Sequence, residues 1–239
     1  MRRWPFACAA TVASVAGAYG SQRIAAFTKP VPMALLAAEV IGGRRTRPPL
    51  DTALLAAAVA FSAAGDRAML LEEFAPLCAD DERRRLPLSH PLSTKDSRLA
   101  RGAALFSGAQ LSYCALLWRA GARPAAGALA PRLVALGESA AVIGYHRPRL
   151  LSILGPYGNT LALMSALASA APPHGSPSAQ PGLRIGGLLF LASDLSILNR
   201  RHLITNPMLR RVVEMWVLAS YFAAQALLIE SLAARSLAR

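Results

Sequence analysis

Two carboxylates stand in stretches of this chain that are otherwise composed for hydrocarbon. One closes Phe61-Ser-Ala-Ala-Gly-Asp66 and the other closes the near echo Phe190-Leu-Ala-Ser-Asp194. An ionisable side chain inside an apolar span is costly enough that it normally faces a protein interior or a water-filled cavity. Two such acids can give and take protons. The chemistry to consider is therefore acid–base catalysis by Asp66 and Asp194, a proton relay through them, or a structural role as polar glue between helices.

The elements that must hold them are legible in the composition. Of the 239 residues, 54% are hydrophobic and only 16% charged, and the apolar residues come in long blocks. Trp4–Gln22, Gly102–Trp118, Leu150–Leu183 and Met215–Ile229 contain no Lys, Arg, Asp or Glu. Such lengths span or nearly span ~30 Å of hydrocarbon at ~1.5 Å per helical residue. The net charge of +13 would suggest nucleic acid in a soluble protein. Here the arginines cluster beside the spans, at Arg44, Arg45 and Arg47 and at Arg200, Arg201, Arg210 and Arg211, where they meet anionic headgroups. The expected partner is thus a lipid bilayer and not a nucleic acid. An excess of arginine over lysine of 24 to 2, with abundant alanine, points to a GC-rich bacterial source and hence to a bacterial cell membrane.

The chain predicts an all-α, polytopic bundle of eight transmembrane helices in one domain, at about 4–22, 29–41, 50–71, 99–118, 125–145, 149–171, 183–202 and 209–232. The first run is read as a retained helix rather than a cleaved signal peptide. Pro30 opens the second helix and Gly42-Gly43 stops it. Two loops separate the blocks: a charged one from Glu72 to Ser97, and Pro172 to Gly182, rich in proline and glycine. Cys8, Cys78 and Cys114 form no CxxC pair, and the four histidines show no ligand spacing, so neither a disulfide framework nor a metal site is indicated.

Even spans run antiparallel to odd ones, and this brings the polar residues together. Asp66 and Asp194 lie past the middles of two odd spans, displaced toward the same face. Lys29 at the start of the second span, Tyr157 in the first half of the sixth, and Gln110, Tyr113, Tyr221 and Gln225 near the middles of the fourth and eighth occupy the same half of the membrane. Gly102, Phe106, Gln110 and Tyr113 recur at one-turn spacing, as do Tyr221 and Gln225, so each set faces one direction. One polar cavity opening to one leaflet is the expected result.

These motifs, taken in order, resemble the YhhN-like family, the lysoplasmalogenases. The resemblance rests on Lys29-Pro30, Phe61-Ser-Ala-Ala-Gly-Asp66, Gly102-x3-Phe106 with Tyr113 beyond, Tyr157 with Met164, Gly186-Gly-Leu-Leu-Phe-Leu-Ala-Ser-Asp194 and Tyr221-Phe-Ala-Ala-Gln225. It covers nearly the whole chain. One departure is that the family usually carries a histidine one turn before the tyrosine of the fourth helix, where this chain has Gln110.

The resemblance implies hydrolysis of the vinyl-ether bond of a lysophospholipid to a fatty aldehyde and a glycerophospho-alcohol. It requires no cofactor and no metal. Two carboxyls suit that reaction: protonation of the β-carbon gives an oxocarbenium ion, which a carboxylate steadies while water attacks. Asp66 and Asp194 are the implied catalytic pair, and Lys29, Gln110, Tyr113, Tyr157, Tyr221 and Gln225 the implied substrate-binding residues, with Lys29 meeting the phosphate at the membrane interface. The rival expectation from the same residues is a proton-coupled transporter or a non-catalytic membrane protein, because the third and seventh helices hold corresponding places in a four-plus-four division.

Overall fold

The computed structural model describes residues 3–74, 92–171 and 179–237. Among these residues the fold is all helical, with nine α-helices and one 3-10 turn. They are α1 (Arg3–Tyr19), α2 (Gln22–Thr28), α3 (Pro30–Gly42), α4 (Pro49–Glu73), α5 (Thr94–Arg119), α6 (Ala126–His146), α7 (Leu151–Ala170), α8 (Ala179–His202) and α9 (Pro207–Leu237), with the 3-10 turn at Pro148–Leu150 just before α7. Most of the expected charged loop and part of the Pro/Gly-rich loop lie outside the described residues.

Local chemistry sets the ends. Ser93 caps α5 by accepting the Asp96 N–H at 3.1 Å, and Asn206 caps α9 by accepting from Met208 and Leu209 at 2.9 and 3.2 Å. Proline opens α3, α4 and α9, where its missing N–H is one the helix could not use. The α5–α6 turn depends on Gly121 at φ 89°, a conformation that lets Ala122 N–H reach back to Leu117 O at 3.0 Å.

Several boundaries differ from the sequence expectation, among them the start of α5 at Thr94, inside the expected charged loop, and the end of α9 at Leu237. Pro181 and Gly182 belong to the first turn of α8 rather than to a loop, a position where proline is tolerated. The second expected helix begins seven residues earlier than Lys29: α2 and α3 form one rod from Gln22 to Gly42. Lys29 keeps helical angles (φ −58°, ψ −36°) and donates its N–H to Ala25 O at 3.0 Å. The rod breaks only because Pro30 and Pro32 donate nothing to the turn before them. Lys29 therefore lies within a candidate span, about 10 Å from its first residue at ~1.5 Å per residue, rather than at the start of the helix.

Among the described residues, five helical stretches are long and apolar enough to cross a membrane: Gln22–Gly42, Pro49–Glu73, Ala126–Tyr145, Pro148–Ala170 and Pro207–Ser236. α1 has 17 residues, and α5 and α8 are diluted by the polar side chains described below.

Helices α1, α3, α4, α5, α7, α8 and α9 pack in that cyclic order, α9 closing the ring on α1. α6 lies outside, chiefly against α7 and α8. Small residues permit the closest approaches. A Cβ on Gly187 of α8 would stand 2.9 Å from Ala168 Cβ and 3.2 Å from Ser165 Cα of α7, so only glycine lets these helices meet there. The core joins Phe190, Phe222, Tyr113, Leu116, Leu161 and Met164 with Leu36 and Leu55.

Candidate active site

The two acids face one cavity of about 390 Å³. Asp66 of α4 and Asp194 of α8 both line it, together with Lys29, Tyr157 and Tyr221. Its lining runs from the middle of the bundle to the end where α4, α6 and α8 finish and α5, α7 and α9 begin, reaching Glu73, Leu99, Ile143 and Leu151.

Each acid is held by a tyrosine from another helix. Tyr221 of α9 donates its hydroxyl to Asp66 Oδ2 at 2.9 Å, and Tyr157 of α7 donates to Asp194 Oδ2. The local sequence explains how each is aimed. Gly65, next to Asp66, makes room for the Phe106 ring, which a Cβ there would meet at 2.9 Å. Phe106 stands edge-on to both Tyr221 (5.8 Å) and Phe190 (6.4 Å), and Phe190 edge-on to Tyr221 (5.8 Å). That cluster fixes the ring whose hydroxyl reaches Asp66. On the other side, Ser193 ties α8 to α9 by donating to Val217 O at 3.0 Å, which turns the adjacent Asp194 toward α7.

Charge is distributed unequally. Lys29 lies close enough to Asp66 for its ammonium to act on the carboxyl. Lys29 Nζ is also 3.9 Å from Glu214 Oε1, both side chains being 11% exposed. Glu214 in turn meets Arg200 at 3.0 Å, and Arg200 meets Glu73 at 3.1 Å. All four line the cavity. Arg200 is 7% exposed, and its Nε has no hydrogen-bond partner among the described residues.

Of the residues singled out in the sequence, Asp66, Asp194, Lys29, Tyr157 and Tyr221 line the cavity, whereas Gln110, Tyr113 and Gln225 do not. These three are fully buried behind the wall. Tyr113 donates to Gln225 Oε1 at 2.5 Å, and Gln225 Nε2 donates to Ser62 Oγ at 2.8 Å, linking α5, α9 and α4. Gln110 accepts from Thr160 of α7 and stands behind Tyr157. Their direction is the correction: they face the helix seams.

Glu73, Arg200 and Glu214 were read only as charges at span ends, or not singled out at all. A periodicity signal was present for two of them. Glu73 follows Asp66 by seven residues and Glu214 precedes Tyr221 by seven, which is two turns on the same helix face.

Comparison with known proteins agrees with this arrangement in extent. The sequence model described as the YhhN family matches residues 24–232, which contain every residue of the cavity named above. No curated protein and no solved structure matches the chain.

Proposed function

The chain belongs to the YhhN family, and on that premise we propose that it is a hydrolase of the vinyl-ether bond in single-chain ether phospholipids, working from within the membrane. Family membership is consistent with a membrane hydrolase; the bond and the mechanism are our reading. We take the fold to cross the bilayer eight times, with α2 and α3 as one crossing. The supporting observation is that two carboxyls, each held by a tyrosine hydroxyl, line one cavity that also carries a charged cluster and an apolar wall.

The roles follow from the charges. Asp66 stands near the Lys29 ammonium and is assigned the carboxylate. Asp194, held through Oδ2 by Tyr157, is assigned the acid and keeps its other oxygen for the proton. Asp194 delivers that proton to the β-carbon, and the double bond becomes an oxocarbenium ion. Asp66 steadies the cation and takes a proton from the attacking water. The resulting hemiacetal loses its hydroxyl proton, the bond to the glycerol oxygen breaks, and that oxygen is protonated, giving aldehyde and alcohol. Transfer of the proton from Asp66 back to Asp194 through solvent closes the cycle. Lys29 and Arg200 are assigned to the substrate phosphate. Gln110, Tyr113 and Gln225 position the tyrosines and helices around the site.

The test is aldehyde release from a lysoplasmenyl phospholipid by the purified protein in detergent. Steady release that scales with protein is expected. A proton-coupled transporter using the same aspartates would release none, and that outcome would remove the hydrolase reading.

A further inference from the structure

The cavity wall away from the ion pairs has a shape of its own. Leu133, Leu136, Ala140 and Ile143 of α6 and Leu151 and Leu154 of α7 form an apolar face. From Leu133 to Ile143 this face rises about 15 Å at ~1.5 Å per residue. Leu133 is 41% exposed and Leu151 38% exposed, so the wall opens on the outer surface of the bundle, where α6 lies outside the ring of helices. Besides Gly158 of α7, two glycines line it, Gly137 of α6 and Gly155 of α7. A Cβ on either would meet nothing within 4 Å, whereas a Cβ on Gly158 would contact Leu136 at 3.7 Å. The space beside Gly137 and Gly155 is therefore room in the cavity wall and not a helix contact.

We propose that this α6–α7 wall is the subsite for the hydrocarbon chain of a single-chain amphiphile, reached sideways from the bilayer, and that Gly137 and Gly155 set the length of chain it admits. Charge selects the occupant. The lining from α4, α8 and α9, with Lys29, holds Arg200, Glu73 and Glu214, which suits a polar headgroup and repels hydrocarbon, so the chain of the same molecule takes the apolar wall of α6 and α7. The inference rests on the substrate class proposed above, but its test does not need turnover.

Binding of hexadecyl and octyl glycerophosphoethanolamine would be measured; both are saturated ethers that cannot be protonated at carbon. Gly137→Leu and Gly155→Leu each place a branched side chain in the wall, and Gly137→Ala and Gly155→Ala a single methyl. Gly127→Leu, on α6 but outside the cavity lining, is the control. Each leucine variant should weaken the hexadecyl ligand by at least about tenfold, because several methylenes lose their burial, and change the octyl ligand by less than about twofold. The alanine variants should give the same preference at smaller size, and the control should give none. Equal loss for both chain lengths, or no loss for either, would overturn the proposal, as would a control that behaves like the two wall positions. A preserved chain-length effect in a protein that releases no aldehyde would leave the subsite standing and remove the hydrolase reading.

Discussion

The halves of the cavity built around Asp66 and Asp194 repeat one device in different surroundings. In each, a carboxylate late in one helix accepts a hydroxyl from a tyrosine on another. The Asp66 half lies inside the ring of helices. It has Lys29 beside it, two aromatic rings, Phe106 and Phe190, edge-on to Tyr221, and the Tyr113–Gln225–Ser62 chain behind. The Asp194 half faces α7, where Pro156 sits within the helix just before Tyr157 and the apolar α6 wall begins. A site with a fixed cation and rigid aromatic support is suited to holding a permanent negative charge. A carboxyl next to the apolar wall is suited to meeting the reactive carbon. On the proposed reading, the same pair of groups divides into a carboxylate and an acid through what packs around each.

The largest expected effect comes from removing either carboxylate. Asp194→Asn and Asp66→Asn keep volume and most hydrogen bonding while abolishing proton transfer, so each should lower hydrolysis by about 10²–10⁴-fold. The thermal unfolding midpoint should hold, because a neutral amide is less costly to bury than a charge. Full activity in either variant would take that residue out of the mechanism, and loss of stability in step with activity would instead mark structural glue.

A smaller effect separates the two tyrosines. Tyr157→Phe and Tyr221→Phe each delete one hydrogen bond to a carboxyl, worth about 1.5–3 kcal/mol when one partner is charged, and should lower the rate by roughly tenfold or more. If Asp66 carries the permanent charge, Tyr221→Phe should cost more than Tyr157→Phe. Steady-state rates on one lysoplasmenyl substrate decide this, and equal losses would erase the division of roles.

The smallest effect on rate belongs to the buried network. Gln225→Leu would leave the Tyr113 hydroxyl without its partner and remove one of those of Ser62, costing about 1–3 kcal/mol of stability. The rate of the folded fraction should change by less than about threefold, which is under 1 kcal/mol of barrier. Chemical unfolding and activity measured on the same preparation check both halves of that statement.

How much of this was legible in the sequence varies with the kind of information. Position along the helices was readable, because alternating direction and ~1.5 Å per residue bring Asp66, Asp194, Tyr157 and Tyr221 to one layer of the bundle, and all four line the cavity. Rotation was not. In a bundle surrounded by lipid, the outward face is as apolar as the core, so hydrophobic periodicity does not tell which way Gln110, Tyr113 and Gln225 point. They share the layer but turn into the helix seams. Lys29 was misplaced for a different reason. Pro30 read as a helix start, yet a proline can also follow a helical turn that packing holds in line, and the rod continues back to Gln22. Arg200 stands beside Arg201 near the end of α8 and so looked like an ordinary flanking cation. Its pairing with Glu73 and Glu214, distant in sequence, appears only once α4, α8 and α9 are brought together.

The central claim is that a carboxyl protonates the β-carbon of a vinyl ether, and the most direct measurement follows the proton itself. The reaction would be run in deuterium oxide with a lysoplasmenyl phospholipid, the aldehyde trapped at once by reduction, and the alcohol examined by mass spectrometry. One deuterium on the carbon next to the former carbonyl is expected, and Asp194→Asn should lower the amount of this labelled product by about 10²–10⁴-fold while leaving the label of any residual product unchanged, because that hydrogen comes from solvent whichever group delivers it. Aldehyde formed by the unaltered protein without deuterium at that carbon would contradict the account.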